Sequence, residues 1–365
     1  MLLAELARGR DNNLNLLRII AALAVLTSHS WALATGNSML EPLRQSIGVS
    51  LGTLAVDVFF FTSGFLVTAS LLSRTSAIDF VWGRGLRIYP ALVVMVALTV
   101  GVLGPLFTTL DPAQYLHAYG TRAYLVYNST VLSDVINFLP GVFANNPWPG
   151  AVNGSLWTLP YEVRMYAALL LAWILLRVAG HRRPSLMRLL IPTAAAISGL
   201  LLLLKSSGDA HLGEPGLRLF FMFFAGSSYQ VFKDRIRLHT AGAVLAATAI
   251  TACALFTPRH FTAVFMFTMP YLLLYLAFVP AGLLRKYNSM GDYSYGVYIY
   301  AFPVQQVLVA LFPGISVLSL LLLSALGTLT LAALSWHLIE ERCLRLKQTL
   351  SNHTHRLLRL GSTTY

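Results

Sequence analysis

Charge is scarce in this chain: Asp, Glu, Lys and Arg together make up 11% of its 365 residues. With 56% hydrophobic residues beside them, too little polar surface remains to cover a water-soluble fold of this length. Acidic residues are scarcest, 14 against 26 Lys and Arg, for a net charge of +12. Cysteine is nearly absent. Cys253 and Cys343 lie far apart in expected helical or helix-end positions, which argues against a disulfide framework or a thiolate metal centre. No metal site of another kind is expected.

What is abundant is apolar runs of about 20 residues, the length of a helix crossing the hydrocarbon of a bilayer. They fall near 14–35, 51–72, 88–108, 155–179, 189–204, 215–232, 239–256, 261–282, 291–312 and 316–338. The expected fold is an all-α integral membrane bundle of about ten transmembrane helices. Cations alternate between the connections. Arg8 and Arg10, Arg74 with Arg84 and Arg87, Arg182 with Arg183 and Arg188, Lys233 with Arg235 and Arg237, Arg285 with Lys286, and Arg342 with Arg345 and Lys347 mark one side. The other side holds only Arg44, Arg122, Lys205 and Arg259, with Arg218 near a helix end. The positive-inside rule then places both termini in the cytoplasm, and the net charge reads as a topology signal rather than as a call for nucleic acid. The one long connection, 109–154, falls on the outer side; its aromatics and scattered polar groups read as interfacial or re-entrant helices. No internal repeat is detectable, so residues 1–365 read as a single membrane domain with a core of about 14–347.

The first run, "LLRIIAALAVLTSHSWALA" over 16–34, carries two intrusions, Arg18 and His29. A signal peptide ending at Ala32-Leu33-Ala34 would make both disposable, yet Arg18 lies close to the apolar core and His29 just before the cleavage point. On an uncleaved helix eleven residues turn through about 1100°, some 20° past three full turns, with a rise of roughly 16 Å. Arg18 and His29 therefore share a face. Either alone reads as a snorkelling cation or a helix–helix hydrogen bond; together on one face they mark a pathway or a reaction site. In "LGTLAVDVFFFTSGFLVTASLL" Asp57 falls about two turns below the outer surface and Ser63-Gly64 near the middle. In "GSLWTLPYEVRMY" Tyr161, Glu162 and Arg164 come at about the depth of Asp57, so His29, Asp57 and Glu162 are expected to meet. The competing structural readings are a Glu162–Arg164 ion pair and a capping or interhelical bond for Asp57. In "VWGRGLRIYPAL" Arg84 and Arg87 share a face at an expected helix start with Pro90 in its first turn, where arginine forks and free N–H groups favour phosphate. Positive-inside anchoring is the plainer alternative.

These blocks carry a resemblance. Arg18 and His29, "DVFFFTSGF", Arg84-x-x-Arg87 with "IYP", "GSLWTLPYEVRMY", "DYSYGVYIYAFPVQQ" and "HLIEERCLRLK", in that order over roughly 14–347, resemble the acyltransferase-3 family of integral membrane O-acyltransferases. The wording "LPYEV" and "YAFPVQQ" resembles its surface-polysaccharide-modifying branch. Where that family commonly shows Ser-x-x-x-Glu-Glu-x-Phe-Tyr, this chain has "TLPYEVRMY" with a single Glu162. The resemblance implies transfer of an acyl group, usually acetyl from acetyl-CoA, to a carbohydrate hydroxyl on a lipid-linked or surface polysaccharide, in the bacterial cytoplasmic (inner) membrane. It implies catalytic roles for His29, Glu162 and Asp57, with Asp57 or Glu162 orienting the imidazole. Arg18, Ser63, Gly64, Arg84 and Arg87 would serve the donor, Gly64 by letting the pantetheine arm approach the backbone. Trp157, Tyr161, Arg164, Tyr300 and Gln305 would contact the acceptor. Membrane lipid is the surrounding partner. The rival class is a multi-pass transporter or flippase, in which the same ionisable groups line a proton or substrate path. It leaves the paired arginines without a role.

Overall fold

In hydrocarbon a backbone must satisfy its own hydrogen bonds, and the apolar runs do so as helices. The computed structural model describes residues 1–9, 11–73, 76–179, 184–205 and 215–361. Among these the regular structure is helical, with three isolated backbone bridges and no strand. Arg10, Arg74, Arg182 and Arg183, four of the cations behind the topology reading, lie outside the described residues.

The long helices are α1 (Leu14–Thr35), α2 (Leu51–Leu72), α3 (Ala77–Leu98), α4 (Leu159–Val178), α5 (Pro184–Lys205), α6 (Pro215–Val231), α7 (Thr240–Phe256), α8 (Phe261–Phe278), α9 (Ser294–Leu311) and α10 (Val317–Ser335). A terminal helix, α11 (Lys347–Gly361), lies against α3, where the Trp82 indole donates to Thr354 Oγ1 at 3.0 Å. Eight of these stretches are long and apolar enough to cross a bilayer, which makes this a multi-pass membrane protein. The helices α6 and α7, of 17 residues each, occupy the other two expected runs and reach only about 26 Å. The expectation of ten crossings depends on those two.

Two departures from the sequence reading bear on the site. Helix α3 begins at Ala77, because Ser76 caps it by accepting the Ile78 N–H at 3.1 Å. Pro90 therefore sits inside the helix, and Arg84 and Arg87 project from its middle rather than from a helix start. The long connection, 109–154, holds two short helices, Pro112–His117 and Tyr119–Thr130, and then irregular chain that dips into the bundle along α9. Asn146 donates to Gln306 (2.7 and 3.0 Å), Gln306 donates to the carbonyls of Trp148 and Ala151, Asn153 donates to the Ile299 carbonyl at 2.9 Å, and the Tyr298 hydroxyl donates to the Ser155 carbonyl at 2.5 Å. From Gln306 to Tyr298 the descent is about 12 Å. Side-chain amides supply the partners that lipid cannot, and the chain so placed carries Trp157 and Glu162 to mid-depth at the start of α4.

The bundle centre is the crossing of α2 and α6, where neither helix tolerates a side chain. A Cβ on Gly64 would lie 1.9 Å from the Phe223 carbonyl oxygen, and one on Gly226 2.0 Å from that of Phe61. Ser227 donates across the contact to the Gly64 carbonyl at 3.2 Å. Small residues at such a contact give membrane helices the van der Waals packing that replaces a hydrophobic drive. The expectation that Gly64 opens the backbone to a ligand is corrected here, since α6 occupies that space. Gly64→Ala should force the helices apart, at a cost of about 1–3 kcal/mol or more. Detergent-solubilised protein should melt measurably lower; an unchanged melting temperature would show that the crossing yields.

Candidate active site

Three cavities follow one another along α1. The largest, about 800 Å³, opens where α1 begins and α2 ends, and Arg18, Arg84, Arg87 and Lys233 face it together with Glu162 and Asp292. A throat of about 40 Å³ follows, sharing Arg18, Ser63, Glu162 and Tyr295 with the first cavity. Beyond it a chamber of about 150 Å³, walled from the throat by Val56 and Tyr298, contains His29 and Trp157.

In the large cavity the cations differ in how they are held. Asp292, in the turn before α9, bonds Arg87 and lies 3.3 Å from Arg18, and Glu340 accepts from Arg87 at 3.2 Å. The Arg87 guanidinium also faces the rings of Tyr295 and Trp336. Burial alone would raise the Asp292 pKa, but Arg18, Arg87 and the Ser294 hydrogen bonds outweigh it and hold the carboxyl at about 2. Arg84 has no carboxylate partner among the described residues; its guanidinium faces the Tyr166 ring at 6.0 Å, and its buried Nε makes no hydrogen bond. Among the described residues Arg84, like Lys233, thus faces this cavity without a carboxylate partner, while Arg87 is committed to two carboxylates.

In the throat Ser63 donates to Glu162 Oε1 at 3.0 Å and lies 2.9 Å from the Tyr166 hydroxyl, which also bonds Glu162. Tyr298, with Thr158 at 2.6 Å, closes the far side.

In the chamber beyond the throat His29 packs edge-on against Phe302, ring centroids 5.2 Å apart, and its buried Nδ1 has no hydrogen-bond partner. The expected meeting of His29, Asp57 and Glu162 does not occur. Asp57 is fully buried and forms an ion pair with Arg218 of α6 at 3.0 Å, facing none of the three cavities, because α6 packs directly on α2 and brings its own cation. Glu162 lies a cavity away from His29. Neither carboxylate orients the imidazole.

The expected acceptor residues divide. Trp157 lines the chamber, with Tyr161 edge-on behind it at 5.9 Å. Arg164 stacks on Tyr161 and meets Asp134 at 3.3 Å, both side chains exposed, outside the cavities. Gln305 is wholly buried and ties α9 to α1, donating to the Leu26 carbonyl at 2.9 Å and to Ser30 Oγ at 2.7 Å. Tyr300 is buried core. Arg164, Tyr300 and Gln305, expected to contact the acceptor, thus line none of the three cavities.

Several site groups escape a reading by motif. Tyr166 is one turn beyond Glu162 and Tyr298 three residues beyond Tyr295, spacings that share a helix face and were legible as such. Asp292, Glu340 and Arg218 were not, since their partners stand on helices remote in sequence. Glu41 and Arg44, from the connection between α1 and α2, complete the chamber around His29.

Cations facing one cavity, an imidazole facing another and a narrow polar cavity between them suit a membrane-embedded transferase. The family model described as an acyltransferase domain, the acyltransferase-3 family, matches residues 11–337, and the chain belongs to this family of membrane O-acyltransferases. It is 29% identical over 354 residues to a protein named O-acetyl transferase from Shigella phage Sf6, covering 92% of this chain and 96% of that one. It is 28% identical over 370 residues to Nodulation protein 10 of Rhizobium leguminosarum bv. viciae, covering 95% and 96%. No solved structure matches.

Proposed function

We propose that the protein transfers an acetyl group from acetyl-CoA, entered from the cytoplasmic end, to a carbohydrate hydroxyl presented in the outer chamber. The acceptor is a lipid-linked or surface polysaccharide of the bacterial cytoplasmic membrane, around which ten spans leave both termini inside. The order of the cavities along α1 carries this reading: Arg18 faces the large cavity and the throat, and His29, about 16 Å further along the helix, faces the chamber. That rise is commensurate with an extended thiol arm. The name of the phage relative supports acetyl as the group moved.

Arg84, with Lys233 beside the same cavity, binds donor phosphate, while Arg18 and Arg87, braced by Asp292, shape the wall. Ser63 and Glu162, bonded by Tyr166 from the large cavity, keep the throat polar where the thioester must pass. His29 takes the proton of the acceptor hydroxyl as the new C–O bond forms, and returns it to the departing sulfur as the C–S bond breaks. Alternatively His29 itself accepts the acyl group and passes it on. Membranes carrying the protein, supplied with acetyl-CoA and a glycan, should consume the donor and yield glycan heavier by one acetyl group. A glycan of unchanged mass, with the donor intact, sinks the reading.

A further inference from the structure

The outer chamber has a lining that its distance from the donor cations leaves unexplained. Arg44 faces it from the short helix Pro42–Ile47, on the side of the membrane where cations are few. Its Nη1 donates to Ser38 Oγ at 3.1 Å and touches Met39 Sδ at 4.0 Å, and no carboxylate pairs with it among the described residues. The nearest candidate in sequence, Glu41, lines the same chamber but is already engaged. Buried to 4% exposure, it accepts the Leu51 N–H at 2.6 Å with Oε1 and the Ser28 hydroxyl at 3.0 Å with Oε2. The carboxylate caps the first turn of α2 and is spent there. A guanidinium fork thus stands open, in one 150 Å³ chamber with the His29 imidazole, the Trp157 ring and the hydroxyls of Ser38, Ser50 and Thr53.

Resting on the acyl-transfer reading, we infer that the chamber selects an anionic sugar: Arg44 receives a carboxylate or phosphate on the acceptor while Trp157 supports the ring and His29 faces the hydroxyl to be acylated. Arginine's planar donors match either oxyanion in a bidentate fashion. Arg44 and His29 line the same chamber, so the anionic group belongs to the sugar being modified or to its immediate neighbour. The first outer connection, 36–50, is then the specificity element of the enzyme, and the donor machinery across the throat is independent of it.

The test compares three acceptors with wild-type protein and acetyl-CoA: a hexuronic acid oligosaccharide, the same oligosaccharide with its carboxyls reduced to alcohols, and a sugar phosphate. Preference for either charged acceptor over the reduced one supports the inference and identifies the oxyanion. Arg44→Gln should then lower kcat/KM for it by about 10- to 100-fold, mainly through KM, and so narrow the preference over the reduced acceptor, with donor binding unchanged. Arg44→Lys should retain part of the preference. Equal transfer to the charged and reduced acceptors by wild type, or an Arg44→Gln variant that loses both alike, overturns the inference and leaves the acyltransferase reading standing. No transfer to any acceptor, with acetyl-CoA still bound, overturns both.

Discussion

His29→Ala should lose acyl transfer by about 10²- to 10⁴-fold, the usual worth of a positioned general base, with donor binding close to wild type. The separation of effects follows from geometry. Among the three cavities His29 faces only the chamber beyond the throat, whereas Arg84 and Lys233, proposed to meet donor phosphate, face the large cavity, with the throat between them. Among the described residues lining the chamber no second base stands ready to replace it: Glu41 is bonded by Leu51 and Ser28, and Glu162 lies beyond Tyr298 in the throat. Calorimetry with acetyl-CoA and initial rates of glycan acetylation read the two quantities independently. A well-folded variant that transfers at near wild-type rate would remove the imidazole from the mechanism. A single-turnover experiment that traps acyl on His29 would favour the double displacement over direct attack.

The sequence discloses groups that act along one helix and hides those that act between helices. Arg18 and His29 share a face because 3.6-residue periodicity is local, and the structure sets both on the path of cavities. Most spans are likewise legible, since hydrocarbon demands about 20 apolar residues whatever the packing. Depth arguments served less well. Asp57 and His29 were matched by residue counts from the outer surface, but azimuth decides contact, and α6 turned Asp57 toward Arg218. Gly64 reads from sequence as room for a ligand, yet the room is taken by the Phe223 carbonyl of a helix some 160 residues away. Pro90 reads as a helix start, but the Ser76 cap and the apolar stretch before Arg84 set the boundary at Ala77 instead.

Asp292→Asn should cost the largest stability of any single change at the site, about 3–5 kcal/mol, because it leaves two guanidinium groups without their shared carboxylate. Arg18 and Arg87 are 20% and 15% exposed, so water compensates little, although Glu340 still holds Arg87 and keeps the loss toward the lower figure. The pH dependence has a definite sign. A carboxyl at about 2 in the folded protein, against an ordinary 3.8, contributes stability that is complete above about pH 4 and disappears as the pH falls toward 2. Wild type in detergent should therefore lose melting temperature over that interval, and Asp292→Asn should start lower and change less across it. The neighbouring cation gives the contrast. Arg84→Ala removes a group with no carboxylate partner, so its melting temperature should stay near wild type while acetyl-CoA binding weakens by about 10- to 100-fold, the worth of a charged hydrogen bond to phosphate. If Arg84→Ala instead melts early and binds normally, and Asp292→Asn does the reverse, the assignment of brace and ligand contact must be exchanged.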